Sequence, residues 1–99
     1  MARVVRSHPA REQLIVIRRY IARIDSSGAE RVVGRLLSAS RRLETFPESG
    51  RIVPEYQRQE FREIIVNPYR LVYHIDPATE TVEIVSVWRG ARLLGDFPT

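Results

Sequence analysis

The apolar positions along this chain keep two periods, and the switch between them divides it into a helical first half and an extended second half. A short apolar run, Arg3-Val4-Val5-Arg6, comes first and reads as an edge strand. Ser7-His8-Pro9 follows: Ser7 or His8 suits a helix start, and Pro9 suits the first helical position, where its missing N–H costs nothing. From Ala10 to Ile24 the residues Leu14, Ile17, Ile21 and Ile24 fall at i, i+3, i+7 and i+10, one face of an amphipathic helix. Arg11, Arg18, Arg19 and Arg23 lie mostly on the opposite, solvated side.

Asp25-Ser26-Ser27-Gly28 breaks that pattern and offers capping side chains. The spacing predicts a second helix from about Ala29 to Leu43, with Val33, Leu36, Ser40 and Leu43 on one stripe, widened by Val32 and Leu37. So short a connection predicts an antiparallel helical hairpin. Phe46-Pro47-Glu48-Ser49-Gly50 ends it, because Pro47 cannot continue a helix and Gly50 permits a tight turn.

Beyond Gly50 the period becomes two. Phe61 to Val66 is strand-like and Asn67-Pro68 is a turn. In Tyr69 to Ile75, Leu71, Tyr73 and Ile75 point one way and Arg70, Val72 and His74 the other. Asp76 to Glu80 reads as a hairpin loop, Thr81 to Trp88 as the last clear strand, and Arg89 to Thr99 as a tail with few periodic cues. The expected fold is α+β in the order β-α-α-β-β-β: an N-terminal strand, then a helical hairpin packed on one face of a small antiparallel sheet. Residues 1–99 are expected to make one domain, with the other sheet face left open for a partner.

Composition narrows the chemistry. Cysteine is absent, which removes disulfides and thiolate metal sites, and no apolar run approaches the roughly 18 residues of a membrane span. No signal-peptide core follows Met1, so a cytoplasmic chain without membrane contact is expected. The net charge is +4, and all 16 cations are arginine, with no lysine. GC-rich coding alone favours arginine. The functional reading is that planar, bidentate donors suit phosphate or carboxylate partners. In either case no lysine is present to act as base, Schiff base or phosphate anchor.

Strand parity marks the candidate surface. If the helices cover the face carrying Tyr73, Arg70 and His74 project onto the open face, Arg62 lies beside them, and Arg89 and Arg92 stand near the end of the last strand. Such a group would cradle phosphate or carboxylate. The alternative is that Arg70 pairs structurally with Glu63 or Glu83 across the sheet. Glu55, on the loop entering the sheet, reads as a general base or as a carboxylate balancing nearby arginine. Trp88 and Tyr69 have the chemistry for base stacking, but core packing or partner contact is their simpler explanation. His8 and His74, the two histidines, lack metal-ligand spacing, so neither metal nor cofactor is expected. His74 has the chemistry of a general base, but a partly exposed strand position is its simpler explanation.

Several segments in order carry a resemblance to the RelE/ParE superfamily of type II toxin–antitoxin toxins. They are His8-Pro9-Ala10-Arg11-Glu12-Gln13-Leu14, Phe46-Pro47 with Gly50-Arg51 and Val53-Pro54-Glu55, Arg62-Glu63, Tyr69-Arg70-Leu71-Val72-Tyr73, and Val87-Trp88-Arg89-Gly90-Ala91-Arg92. The resemblance covers nearly the whole chain. It implies the fold reached above and a growth-inhibiting toxin held in a hetero-oligomer by a cognate antitoxin with an acidic, partly disordered tail.

The superfamily divides by target. RelE-like members cleave mRNA on the ribosome, without metal, and Arg70 matches a catalytic or phosphate-contacting arginine of those nucleases. On that reading Arg70→Ala abolishes cleavage and leaves the fold intact. Many relatives read Trp-His-Gly-Ala-Arg where this chain has Trp88-Arg89-Gly90-Ala91-Arg92, and no His or Tyr follows its last strand. Arginine is a poor proton shuttle, although it stabilises a crowded phosphate. The departure favours the ParE-like branch, associated with plasmid stabilisation and with inhibition of DNA gyrase rather than RNA cleavage. The expected target-binding residues are then Arg62, Arg70, Trp88, Arg89 and Arg92.

Overall fold

The computed structural model describes residues 1–90. The elements run β1 (Arg3–Arg6), α1 (His8–Ala22), α2 (Ser26–Arg42), β2 (Arg51–Ile52), β3 (Phe61–Val66), β4 (Tyr69–Asp76) and β5 (Thr81–Arg89). They form one sheet in the order β1-β5-β4-β3-β2, with the helical hairpin on one face. The fold is α+β with the predicted element order, plus one two-residue strand. The sheet is mixed rather than purely antiparallel, because β1 lies parallel to β5, in register from Arg3 opposite Thr81 to Arg6 opposite Ile84.

Local chemistry explains the boundaries. The Ser7 hydroxyl accepts from the Ala10 N–H at 3.1 Å and caps α1, with Pro9 in the first turn. The same hydroxyl donates to the Val85 carbonyl at 3.1 Å, tying the helix start to β5. Further along, the Gln13 Oε1 accepts from the Val87 N–H at 2.7 Å, so α1 satisfies the edge of β5 where β1 has ended. Helix α1 stops at Ala22. Ile24 therefore falls outside the helix and is 79% exposed, whereas the sequence pattern had put it on the buried stripe. Helix α2 starts at Ser26, three residues earlier than its apolar spacing implied, and buries Val33, Leu36 and Ser40 as expected.

The main core lies between hairpin and sheet and contains Leu36, Leu43, Leu71, Tyr73, Val82 and Ile84. Each such large side chain contributes about 1.5–3 kcal/mol by leaving water. A register shift in the β4–β5 ladder at Val72/Tyr73 leaves Val85 as the extra residue of β5, between Ile84 opposite Tyr73 and Ser86 opposite Val72. The other sheet face is not open. The segment from Val53 to Glu60 folds over it, and Val53 and Val72 form a second small core with Tyr56, Phe61, Val85 and Trp88.

Candidate functional site

Arg70 and Glu63 share the sheet face that carries Val72. Their strands are paired so that Glu63 stands opposite Val72 and Ile65 opposite Arg70, which makes Glu63 and Arg70 diagonal neighbours. Arg70 Nε donates to Glu63 Oε1 at 2.7 Å. Its two terminal nitrogens fork onto Glu55, Nη1 to Oε2 at 2.9 Å and Nη2 to Oε1 at 2.7 Å. Every guanidinium nitrogen is thus engaged by a carboxylate. Arg70 is 6% exposed and Glu63 1% exposed. Arg51, on β2 opposite Glu63, completes the cluster through Nε to Glu63 Oε2 at 2.5 Å.

Glu55 reaches Arg70 because of how its loop is built. The Val53 N–H donates to the Phe61 carbonyl and prolongs the β2–β3 ladder. The Tyr56 and Gln57 N–H groups then donate back to the Val53 carbonyl, and this tight turn holds Glu55 over the sheet. Gln57 takes a positive φ of 54° to close it. The hydrogen bonds from Arg70 hold the Glu55 carboxyl below its usual carboxylate range. The same bonds, with Glu55 first and Glu63 after, raise the Arg70 pKa against the opposing effect of burial.

The expected arginine cradle is not what the fold assembles. Arg70 lies under the 53–60 segment rather than on an open surface. Arg62 stands opposite Tyr73 and so shares the helix-side face. There it donates to the carbonyls of Gly50 at 3.1 Å, Gln59 at 3.2 Å and Glu48 at 3.3 Å, and it secures the loop before β2. Arg89 is exposed, but it pairs opposite Tyr69 and so falls on the face away from Arg70. Arg92 lies outside the described residues. Among the described residues of the group expected at Arg70, His74 and Trp88 share its face, Trp88 directly opposite it and His74 four residues along β4 opposite Phe61. Trp88 is half-buried in the second core, and Tyr69 is buried in the main one.

His74 packs its ring against Phe61 with centroids 4.9 Å apart. His8 sits exposed at the start of α1, 3.8 Å from Glu12. Among the described residues no group of three or more His, Cys, Asp or Glu is placed to hold a metal ion, and no helix is long and apolar enough to cross a membrane. Sequence reasoning missed Arg51. Its signal was weak, because a two-residue strand shows no period from which to read a register.

A second feature runs along the other side of β3. Strand β2 covers β3 only at Arg62 and Glu63, so among the described residues the edge beyond, at Ile64 to Val66, has no strand neighbour. A groove of about 750 Å³ follows this edge, with Ile64, Ile65 and Val66 on one side and Arg31, Arg35, Arg41 and Arg42 of α2 on the other.

This architecture and these motifs match known proteins. The family model described as ParE toxin of type II toxin-antitoxin system, parDE, matches residues 4–94. The chain belongs to this family. Toxin RelE2 of Caulobacter vibrioides is 34% identical over 93 residues, spanning 94% of this chain and all of that one. Among solved structures, the chromosomal ParDE toxin–antitoxin system of P. aeruginosa superposes with a TM-score of 0.75 at 14% identity, covering 92% of this chain and 98% of that one. The RelBE2 toxin–antitoxin complex of Mycobacterium tuberculosis gives 0.66 at 20% identity, covering 89% and 96%. The isolated E. coli RelE toxin gives 0.60 at 16% identity, covering 96% and 90%. The chain is therefore a type II toxin of the RelE/ParE superfamily.

Proposed function

We propose that this toxin stops growth by ParE-like poisoning of DNA gyrase and is neutralised by a cognate antitoxin. The observation that carries the reading is the enclosure of Arg70. An RNA-cleaving site needs that arginine facing the scissile phosphate with an acid and a base beside it. Here the guanidinium is held by Glu55 and Glu63. The cleft beside it is lined by Arg51, Pro54, Glu55, Ile65, Asn67, Pro68, Tyr69, Arg70 and Gly90, with no histidine among them. Glu55, its carboxyl held low, is a weak base. Lysine is absent from the chain, and neither His nor Tyr occurs after Arg89.

The groove along β3 supports the antitoxin half of the proposal. Among the described residues Arg35, Arg41 and Arg42 make no ion pair, while Arg31 pairs with Asp25 at 3.4 Å and Glu30 with Arg18 at 2.8 Å. Apolar floor, open strand edge and uncompensated arginines suit an extended segment that alternates apolar and acidic residues.

A second reading has one specific support, the 34% identical relative that carries the name RelE2. On that reading the toxin cleaves mRNA on the ribosome, with Arg70 released from its carboxylates. A gyrase supercoiling assay with purified toxin, with and without antitoxin, separates the two. Inhibition relieved by antitoxin is the expected result. No inhibition from folded toxin, together with cleavage of ribosome-bound mRNA, overturns the gyrase reading.

A further inference from the structure

The Glu55–Arg70 pair closes a cleft as well as bracing a fold. On its outer side a cavity of about 360 Å³ opens to solvent, with Arg51 and the Asn67-Pro68 turn on its rim. Glu63 is buried behind the arginine, whereas the Glu55 side chain is 26% exposed and comes from a segment rather than a strand. Arg51 is bound to Glu63 through Nε, and its side chain is 60% exposed. The four charges sum to zero as they stand. With Glu55 swung away, the remaining three leave one net positive charge around a forked donor.

We propose that the 53–60 segment is a strap whose Glu55 carboxylate occupies the place of a phosphate group, so that a phosphate-bearing ligand engages Arg70 only by displacing Glu55. A carboxylate and a phosphate present the same pair of oxygens to a guanidinium fork. The phosphate adds a further charge that Arg51, on the rim, is placed to meet. Such a strap keeps the arginine closed to phosphate until a partner lifts the segment. The inference goes beyond the gyrase reading and does not depend on it.

The test titrates the full-length protein with sodium phosphate at constant ionic strength, following the Arg70 Nε–H signal by NMR. Wild type, Glu55→Gln and Glu12→Gln are compared, the last making the same change of charge on the exposed face of α1. Glu55→Gln is expected to bind phosphate at least tenfold more tightly than the other two, and adding Arg51→Gln is expected to reverse most of that gain. A single-stranded RNA oligonucleotide, titrated in parallel, distinguishes a phosphodiester from free phosphate.

Equal binding by Glu55→Gln and Glu12→Gln overturns the strap. So does a loss of stability in Glu55→Gln with no gain in phosphate binding, which would assign the pair to structure alone. If Glu55→Gln does not fold, Glu55→Asp retracts the carboxylate by one methylene and keeps its charge. Unchanged phosphate affinity in that variant overturns the proposal. Neither gyrase nor antitoxin enters the assay, so its failure leaves the target reading standing.

Discussion

Arg70 Nη2 lies 2.6 Å from Glu63 Oε1 in the interior of the molecule, where the Glu63 side chain has no exposed surface at all. Such a pair is costly to form, because both ions leave water, and more costly to break, because the survivor stays buried and uncompensated. Arg51 and Glu55 supply the extra hydrogen bonds that make the burial tolerable. A residue with the sequence position of a nuclease arginine is therefore held between two carboxylates beneath the 53–60 segment.

Arg70→Ala is accordingly expected to lose about 3–5 kcal/mol of folding stability, read from the urea midpoint. Arg89→Ala, at an exposed position, should stay within about 0.5 kcal/mol of wild type. A small effect for both would show that Glu63 finds water or another cation. The burial of Arg70 argues against the sequence-based expectation that Arg70→Ala spares the fold, and the urea midpoint decides between them. Loss of toxicity in that variant has to be separated from loss of the folded protein.

Acid should act through Glu55. Its folded pKa lies below the ordinary value of 4.5, so its contribution is fully present above that value and is lost as pH falls through the folded one. Thermal denaturation between about pH 5 and about pH 3 should show a steep loss in wild type and a shallower one in Glu55→Gln. Identical slopes would show that the Glu55–Arg70 bond contributes nothing to stability.

Gly50 is a packing requirement. A Cβ there would stand 2.6 Å from both the Glu63 carbonyl and the Tyr73 hydroxyl. Gly50→Ala should cost about 1–3 kcal/mol by forcing these groups apart. Tyr73→Phe removes the acceptor for the Gly50 N–H, bonded at 2.9 Å in the interior, and should cost about 1–3 kcal/mol for the orphaned donor. The two together should cost less than the sum, because they act on one contact. Additive losses in chemical denaturation would contradict that coupling.

The groove along β3 should be read out by the antitoxin. Arg35→Glu with Arg42→Glu is expected to raise the Kd of the complex at least tenfold and to flatten its salt dependence, with toxin stability within about 0.5 kcal/mol of wild type. Unchanged affinity by calorimetry would place the antitoxin on another surface.

The sequence by itself determined the two helices, the three long strands and the side on which each strand residue points. Period and parity are local properties, and Leu71 and Tyr73 are buried together where their alternation put them. It also carried both readings of Arg70, as a ligand-facing cation or as a partner of Glu63, and of Glu55 as a balancing carboxylate. Choosing between them needed registers that no single strand contains. Arg62 opposite Tyr73, Arg89 opposite Tyr69 and Trp88 opposite Arg70 fixed which arginines share a face. The path of the 53–60 segment decided the rest, because a loop without period gives no sign of the surface it covers. Tertiary structure alone made the expected open face a second core, with Arg70 enclosed beneath Glu55.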